Sequence, residues 1–546
     1  MIRPRLEPRA RTASLLVLLG LLSGTPAGCG GGSEEPSARP NVLLISLDTL
    51  RADHLGAYGY GRDTSPRIDA LAASGTLFED AVSTTSWTLP SHLSMLTGLA
   101  ISAHGVCDDR LWQVAGTEGA PDEVPLRGTF LPELLQASGY RTAGFYTWKY
   151  LEPRFGFGPG FETYERVGHS VFSHPEWSKR FEALRAAGKI DEIQRWRDEN
   201  PALFDEQRPT AGEAVDRALA WLDGTAGGDA EEPFFLFVHL FDIHDGYVPP
   251  PPFDARFTDP DYRGPITGRK VTTPDSPVRP DMASADLAQL IALYDGEIAW
   301  VDSQVGRLLD RLDALGLRED TLVVLTSDHG EEFFEHGAKT HRAQLHRESV
   351  HVPLIVSWPG RVAADQRIAG PAGIVDILPT VCGLAGVAAP PTLSGRDLSE
   401  VARGEADHVP ADYTTQLVVF PPGASAPDRH VGLWFEDRHA LTVRSPGGAL
   451  SIELFDLARD PTGAGRGESV PAGSEAARSL GQRLELSRAR LEAARSGAPP
   501  RGGASTPLSP EEIAELQKMG YTGIESGTPG ATRSDRLCID GCVWPD

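Results

Sequence analysis

Three stretches of this 546-residue chain share one form, a continuous apolar run that closes on an aspartate. They are NVLLISLD (Asn41 to Asp48), FFLFVHLFD (Phe234 to Asp242) and TLVVLTSDHG (Thr321 to Gly330). Such runs lack the polar alternation of a strand with one wet face. They suit strands buried on both faces of a parallel sheet. Helical patterns lie between them: SPRIDALAASG, LRGTFLPELLQASGY and SADLAQLIALYDGEIAWVDSQVGRLLDRLDALG. Strands alternating with helices predict an α/β fold, a large mostly parallel sheet flanked by helices. VPLIVSWPG (Val352 to Gly360) predicts one more strand and GIVDILPTVCGLAG a short helix. Ligand sites of such sheets gather at the carboxyl ends of the strands. Asp48, Asp242 and Asp328 all stand at those ends.

After about Pro390 the pattern changes. DRHVGLWFED, HALTVRSPGG and LSIELFDLARDP read as antiparallel strands joined by turns, and a helix follows from about Glu475 to Arg495. The expected organisation is a large α/β domain over 41–390, a smaller C-terminal α+β subdomain with an antiparallel sheet over 391–500, and a loosely ordered tail over 501–546. Residues from about Val248 to Pro280, rich in Pro, Asp and Gly, read as a long loop.

The first residues are not expected to belong to the fold. Arg3, Arg5, Arg9 and Arg11 form a basic start, and SLLVLLGLLSG (Ser14 to Gly24) is too short to span a bilayer. Thr25-Pro26-Ala27-Gly28-Cys29 resembles the end of a bacterial lipoprotein signal covering 1–28, with Cys29 as the lipidated residue. An ordinary secretory signal is the alternative, and both imply export. Residues 29–40 read as a flexible tether. Asp plus Glu number 76 against 51 Lys plus Arg, a net charge of −25, which argues against nucleic acid as a partner. Of the 5 cysteines, Cys538 and Cys542 are close enough to pair in an oxidising compartment.

In TTSWTLPSHLSMLTG (Thr84 to Gly98), Pro90 and the hydroxyl residues around it mark a helix N-terminus. Thr88 is the candidate cap. A helix N-terminus offers free N–H groups and a partial positive charge. A hydroxyl there, next to a divalent cation, would lose its proton more easily and attack a tetrahedral anion. Asp328-His329 at a strand end supplies a hard oxygen and an imidazole to such a cation.

With these motifs in order, the chain resembles the sulfatase branch of the alkaline phosphatase superfamily. The resemblance runs through NVLLISLDTLRADHLGAYGY, TLPSHLSMLTG, His104-Gly105-Val106, FVHLFDIHDGYVPP, TSDHGEEFFEHG and HRESVHVPLIVSWPG, about Asn41 to Pro461. It implies an alkaline-phosphatase-like sandwich. It places Asp48, Asp328 and His329 on the metal, Thr88 on both the metal and the nucleophile position, and His244 and His341 on the transferred group or leaving oxygen. Arg342 is the neighbouring candidate, and Lys149 is either a site residue or a solvated surface charge. Asp242, His244 and His341 have the residue types for a second metal. His104, His239 and His336 are expected in structural or supporting roles, and Asp376 as a helix cap.

The chain also departs from the family pattern. Sulfatases carry Cys or Ser in C/S-x-P-S-R, where this chain has Thr88-Leu89-Pro90-Ser91-His92. Oxidation of Thr would give a ketone, so no formylglycine is expected. Asp-Asp becomes Asp48-Thr49, and His329 stands where calcium-type relatives have Asn, which favours Mn²⁺ or Zn²⁺ with Ca²⁺ as the alternative. These departures point to an unmodified Thr nucleophile acting on a phosphate ester, diester or related oxyanion ester of a small molecule, glycan or lipid. A true sulfatase and a non-catalytic surface binding protein are the alternatives.

Overall fold

The computed structural model describes residues 39–107, 126–168, 210–226 and 232–501, less 274, 408, 410–411, 420–427, 437, 445–449, 461–462 and 464, and isolated positions between 180 and 199. The signal, most of the tether, Cys29, the Cys538–Cys542 pair and nearly all of the tail lie outside the described residues.

The main sheet has strands β1 (Asn41–Leu47), β2 (Thr76–Val82), β3 (Arg141–Tyr146), β4 (Thr163–Arg166), β5 (Phe234–Leu240) and β6 (Thr321–Ser327). A small hairpin follows, β7 (Glu332–Phe333) with β8 (Lys339–Thr340), and then β9 (Leu354–Ser357) and β10 (Gln366–Gly373) rejoin the main sheet. The strand order is β10-β2-β9-β6-β1-β5-β3-β4. β1 lies centrally and runs parallel to both β5 and β6. β9 runs antiparallel to β2 and β6, and the other pairs are parallel. The apolar runs are strands with a core on each face. In β1, Val42 and Leu44 join one core, with Leu89, Leu93 and Leu96 of the Thr88–Thr97 helix. Leu43, Ile45 and Leu47 join the other, against the Ala211–Ala226 and Ser284–Ala314 helices. This alternation of side chains is the period-2 geometry of a strand, and it makes an α/β/α sandwich.

β11 (Tyr413–Val419), β12 (Asp428–Phe435), β13 (Arg438–Arg444), β14 (Leu450–Asp456) and β15 (Glu468–Ser469) form an antiparallel sheet in that order. The closing helix, Glu475–Gly497, is capped by Ser474, whose hydroxyl accepts from Ala477 N–H at 3.1 Å. Leu480 packs against this sheet. Leu491 and Ala494 pack against Ala100 and Ala103, which follow the Thr88 helix. The second sheet is thus fastened behind the element that carries Thr88.

Candidate active site

β1 and β6 are neighbours in register, with Leu47 opposite Ser327. Their next residues, Asp48 and Asp328, therefore emerge side by side, both wholly buried. The chain turns sharply at Thr49, which takes a left-handed φ of 54°. Thr49 N–H donates to Asp328 Oδ1 at 3.2 Å, and Leu50 N–H to Ser327 Oγ at 3.0 Å. The Tyr294 hydroxyl donates to the Thr49 carbonyl at 2.8 Å. These bonds fix both strand ends. At Gly330 a Cβ would fall 2.0 Å from the Glu348 carbonyl oxygen, so only glycine lets the chain pass there.

His329 Nδ1 donates to the Gly330 carbonyl at 3.0 Å. That leaves Nε2 as a lone pair, 3.4 Å from Asp328 Oδ2, 3.9 Å from Asp48 Oδ1 and 3.2 Å from Thr88 Oγ1. Asp48 Oδ1 and Asp328 Oδ2 are buried with no hydrogen-bond partner. Ligand atoms of Asp48, Asp328 and His329 all lie within 4.8 Å of one another. Two unpartnered buried carboxylate oxygens and an imidazole lone pair fit a divalent cation. Burial and the Asp48 charge push the Asp328 carboxyl up to about 7. Burial lowers His329 to about 4, so its ring is neutral, as a ligand must be.

Thr88 is wholly buried and is the first residue of its helix, not the cap expected for it; Trp87 holds the cap position, and no side chain caps there. His244 and His341 complete the cluster. The His341 ring lies 4.5 Å from that of His329 and 4.8 Å from that of His244. His341 Nδ1 bonds Glu331 Oε1 at 3.1 Å, and its pKa is lowered by burial and by its histidine neighbours. His244 Nδ1 lies 2.7 Å from Asp245 Oδ1. Burial opposes charge on His244, but Asp245, Asp48 and Glu331 outweigh it and lift the ring to about 9. The Arg342 guanidinium lies 3.9 Å from the centre of the Trp87 ring.

Supporting residues surround the site, and His92, Asp245 and Glu331 among them escaped the sequence reading. His92 Nδ1 donates to the Thr88 carbonyl at 2.9 Å, while Nε2 pairs with Ser46 Oγ at 2.9 Å. His92 stands four residues after Thr88, so its face of the helix was readable. His239 Nε2 holds Asp48 Oδ2 at 3.1 Å, the supporting role expected for it, and as the one polar residue within β5 it carried its own signal. Asp245 and Glu331 were visible only as neighbours of site residues.

Other expectations need correction. Asp242 does not face the cation site. Its carboxylate accepts from Thr210 N–H and Ala211 N–H, both at 2.8 Å, and from Trp300 Nε1 at 2.9 Å. It anchors the start of the Ala211–Ala226 helix, so the second-metal set is not assembled. Lys149 is buried beside Trp148, not a solvated surface charge. Asp376 stands at the cap position of the Ile377–Ala385 helix but binds Gly373 N–H at 3.0 Å and Arg396 instead of capping it. His104 bonds Ser94 Oγ at 3.1 Å, and His336 Nδ1 bonds Glu348 Oε1 at 2.6 Å, the structural roles expected for them.

Fold and site together define an ester hydrolase built like alkaline phosphatase. A model of the sulfatase family matches residues 40–387, and one for the C-terminal region of N-sulphoglucosamine sulphohydrolase matches residues 334–489. The chain belongs to the sulfatase family. It is 26% identical over 375 residues to the ulvan-active sulfatase of Formosa agariphila, covering 68% of this chain and 66% of that protein. It is 24% identical to the N-acetylglucosamine-6-O-sulfatase of Bacteroides thetaiotaomicron, covering 83% of this chain and 86% of that one. The crystal structure of the phosphonate monoester hydrolase of Agrobacterium radiobacter has the same fold, with a TM-score of 0.62 and 23% identity over 83% of this chain and 96% of that one.

Proposed function

We propose that this chain is an exported, metal-dependent hydrolase that cleaves a phosphate ester, diester or related oxyanion ester through a covalent ester on Thr88. The observation that carries the reading is the Thr88 hydroxyl, wholly buried and 3.2 Å from His329 Nε2 at the edge of the Asp48–Asp328–His329 cluster. An unmodified Thr suits direct attack, because its β-methyl bars the route to an aldehyde. Mn²⁺ or Zn²⁺, with Ca²⁺ as the alternative, would be held by Asp48, Asp328, His329 and the Thr88 oxygen. Such a cation would lower the proton affinity of the hydroxyl and balance the charge of the ester. Thr88, its hydroxyl proton already released to solvent, then bonds through Oγ1 to phosphorus as the bond to the leaving oxygen breaks, and it leaves again as the alkoxide in the second step. His244 gives the leaving oxygen a proton, and Glu331 holds His341 against the same centre. Water releases the group from Thr88 in the second step, with His244 taking the proton back.

A small-molecule, glycan or lipid ester is the substrate class this reading supports, and Cys29 would carry a lipid anchor on the envelope. The second reading is a sulfuric ester hydrolase, favoured by the sulfatases among the relatives. The test is a screen of aryl sulfate, aryl phosphate monoester, diester and phosphonate ester on the mature protein, with Mn²⁺, Zn²⁺ or Ca²⁺ restored to chelated protein. Phosphorus esters should turn over with Mn²⁺ or Zn²⁺, and Thr88→Ala should lose roughly 10³-fold or more. Turnover of sulfate alone sinks the phosphoester reading.

A further inference from the structure

Two histidines of the site enter on different loops. His244 stands on the connection from β5 to the Ser284–Ala314 helix, and His341 directly follows the β7–β8 hairpin. Their rings nevertheless meet, with centres 4.8 Å apart. Each ring is held by its own loop. Asp245 Oδ1 lies 2.7 Å from His244 Nδ1, and the other Asp245 oxygen accepts from the Thr272 hydroxyl at 3.2 Å. His341 Nδ1 bonds at 3.1 Å to Glu331 Oε1, on the residue that precedes β7.

Lys339, two residues before His341, joins the loops. Its ammonium donates to the carbonyls of Val271 at 2.7 Å and Val278 at 2.8 Å. The Ser276 hydroxyl closes that cradle, donating to the Val271 carbonyl at 2.7 Å and accepting from Val278 N–H at 3.0 Å. Val271 and Val278 are buried in the same core as Tyr247 and Phe333, so the cradle is anchored. Tyr247 also packs on Phe333 across this seam, with ring centres 6.0 Å apart. Apolar packing is non-directional, whereas bonds from an ionised donor fix a register. Thr272 adjoins the cradle, so a chain of contacts runs from Lys339 through Thr272 and Asp245 to His244.

We propose that Lys339 is a positioning residue for the leaving-group end of the site, setting the His244 ring against the His341 ring through the Val271–Val278 cradle. The inference rests on the proposed role of His244 as the acid, and the experiment separates the two. Lys339→Met keeps the aliphatic stem and removes the donors. Thr272→Val removes the hydroxyl bonded to Asp245. The reporters are a phenyl and a nitrophenyl ester of whichever acid, phosphoric or sulfuric, wild type releases. Phenoxide needs a proton from the acid far more than nitrophenoxide does. In Lys339→Met, kcat/KM should fall about 10²-fold for the phenyl ester against about tenfold or less for the nitrophenyl ester, with the metal content unchanged. Thr272→Val should show the same bias, and the double variant should fall little further, because both changes act through His244. A merely structural lysine lowers the melting temperature and slows both esters equally. An equal fall for the two esters in either variant, or single effects that multiply in the double variant, overturns the proposal. If wild type cleaves neither ester, the proposed function fails, and a crystal structure of Lys339→Met still decides the positioning role. The separation of the His244 and His341 rings should then grow by about 1 Å or more, and an unchanged 4.8 Å overturns it.

Discussion

Removing the cation should leave a pH signature that Asp328→Asn reduces. In metal-free protein, Asp48 and Asp328 face each other in the interior, with Asp48 Oδ1 and Asp328 Oδ2 lacking partners. Burial and the Asp48 charge hold the Asp328 carboxyl at about 7 against an ordinary 3.8. A folded-state pKa raised in this way disfavours the ionised form. The protonated carboxyl costs the fold nothing below the unfolded value, and stability falls as pH climbs from about 4 until it passes 7. A displacement from 3.8 to about 7 corresponds to a loss on the order of 4 kcal/mol. Urea unfolding of chelated protein from pH 5 to 8.5 covers the climb from 5 to about 7, which is about 3 kcal/mol of that loss. Asp328→Asn removes the charge at nearly constant shape, so the chelated variant should lose less stability than chelated wild type as pH rises, and be more stable than it at pH 8. Added Mn²⁺ should reverse that ranking, because wild type gains binding energy that the variant cannot. Chelated wild type losing no more stability than chelated Asp328→Asn toward pH 8, or Mn²⁺ stabilising both proteins equally, would refute the reasoning.

Three further outcomes follow from the same geometry. Asp242→Asn should cost about 3 kcal/mol in urea unfolding, since it weakens several buried bonds to Thr210, Ala211 and Trp300, yet leave the metal content of the protein unchanged. Gly330→Ala should drive a methyl into the Glu348 carbonyl 2.0 Å away, destabilising by about 2–4 kcal/mol and weakening Mn²⁺ affinity measured by titration. His92→Phe should leave Ser46 Oγ unpaired and remove the ring's bond to the Thr88 carbonyl, lowering both melting temperature and kcat with little change in KM.

The sheet was legible because its central strands are buried on both faces, which forces runs such as NVLLISLD to be apolar without interruption. Asp48, Asp328 and His329 were legible for the same reason. Neighbouring parallel strands in register must release their next residues side by side, and buried paired carboxylates there fit a cation. Asp242 carries the same sequence signal and does something else. It lies two residues beyond the end of β5, where the chain has already turned toward the Ala211–Ala226 helix, and a strand run does not encode that turn. The partners of the histidines were hidden for a different reason. Whether Asp245 or Glu331 points at an imidazole depends on loop backbone, and spacing along the chain does not specify it. The burial of Lys149 was equally invisible, because a lysine that stacks on a tryptophan reads like one in water.

The central claim is that an unmodified Thr88 becomes the covalent carrier of the transferred group. The most direct measurement is an acid quench of the Mn²⁺-loaded protein during turnover of an aryl phosphate, followed by tandem mass spectrometry of the peptide that contains residue 88. The account predicts a phosphoryl group on the Thr88 oxygen, present in wild type and absent from Thr88→Ala. Full turnover with Thr88 never modified, or a phosphoryl group found on another side chain, would contradict it.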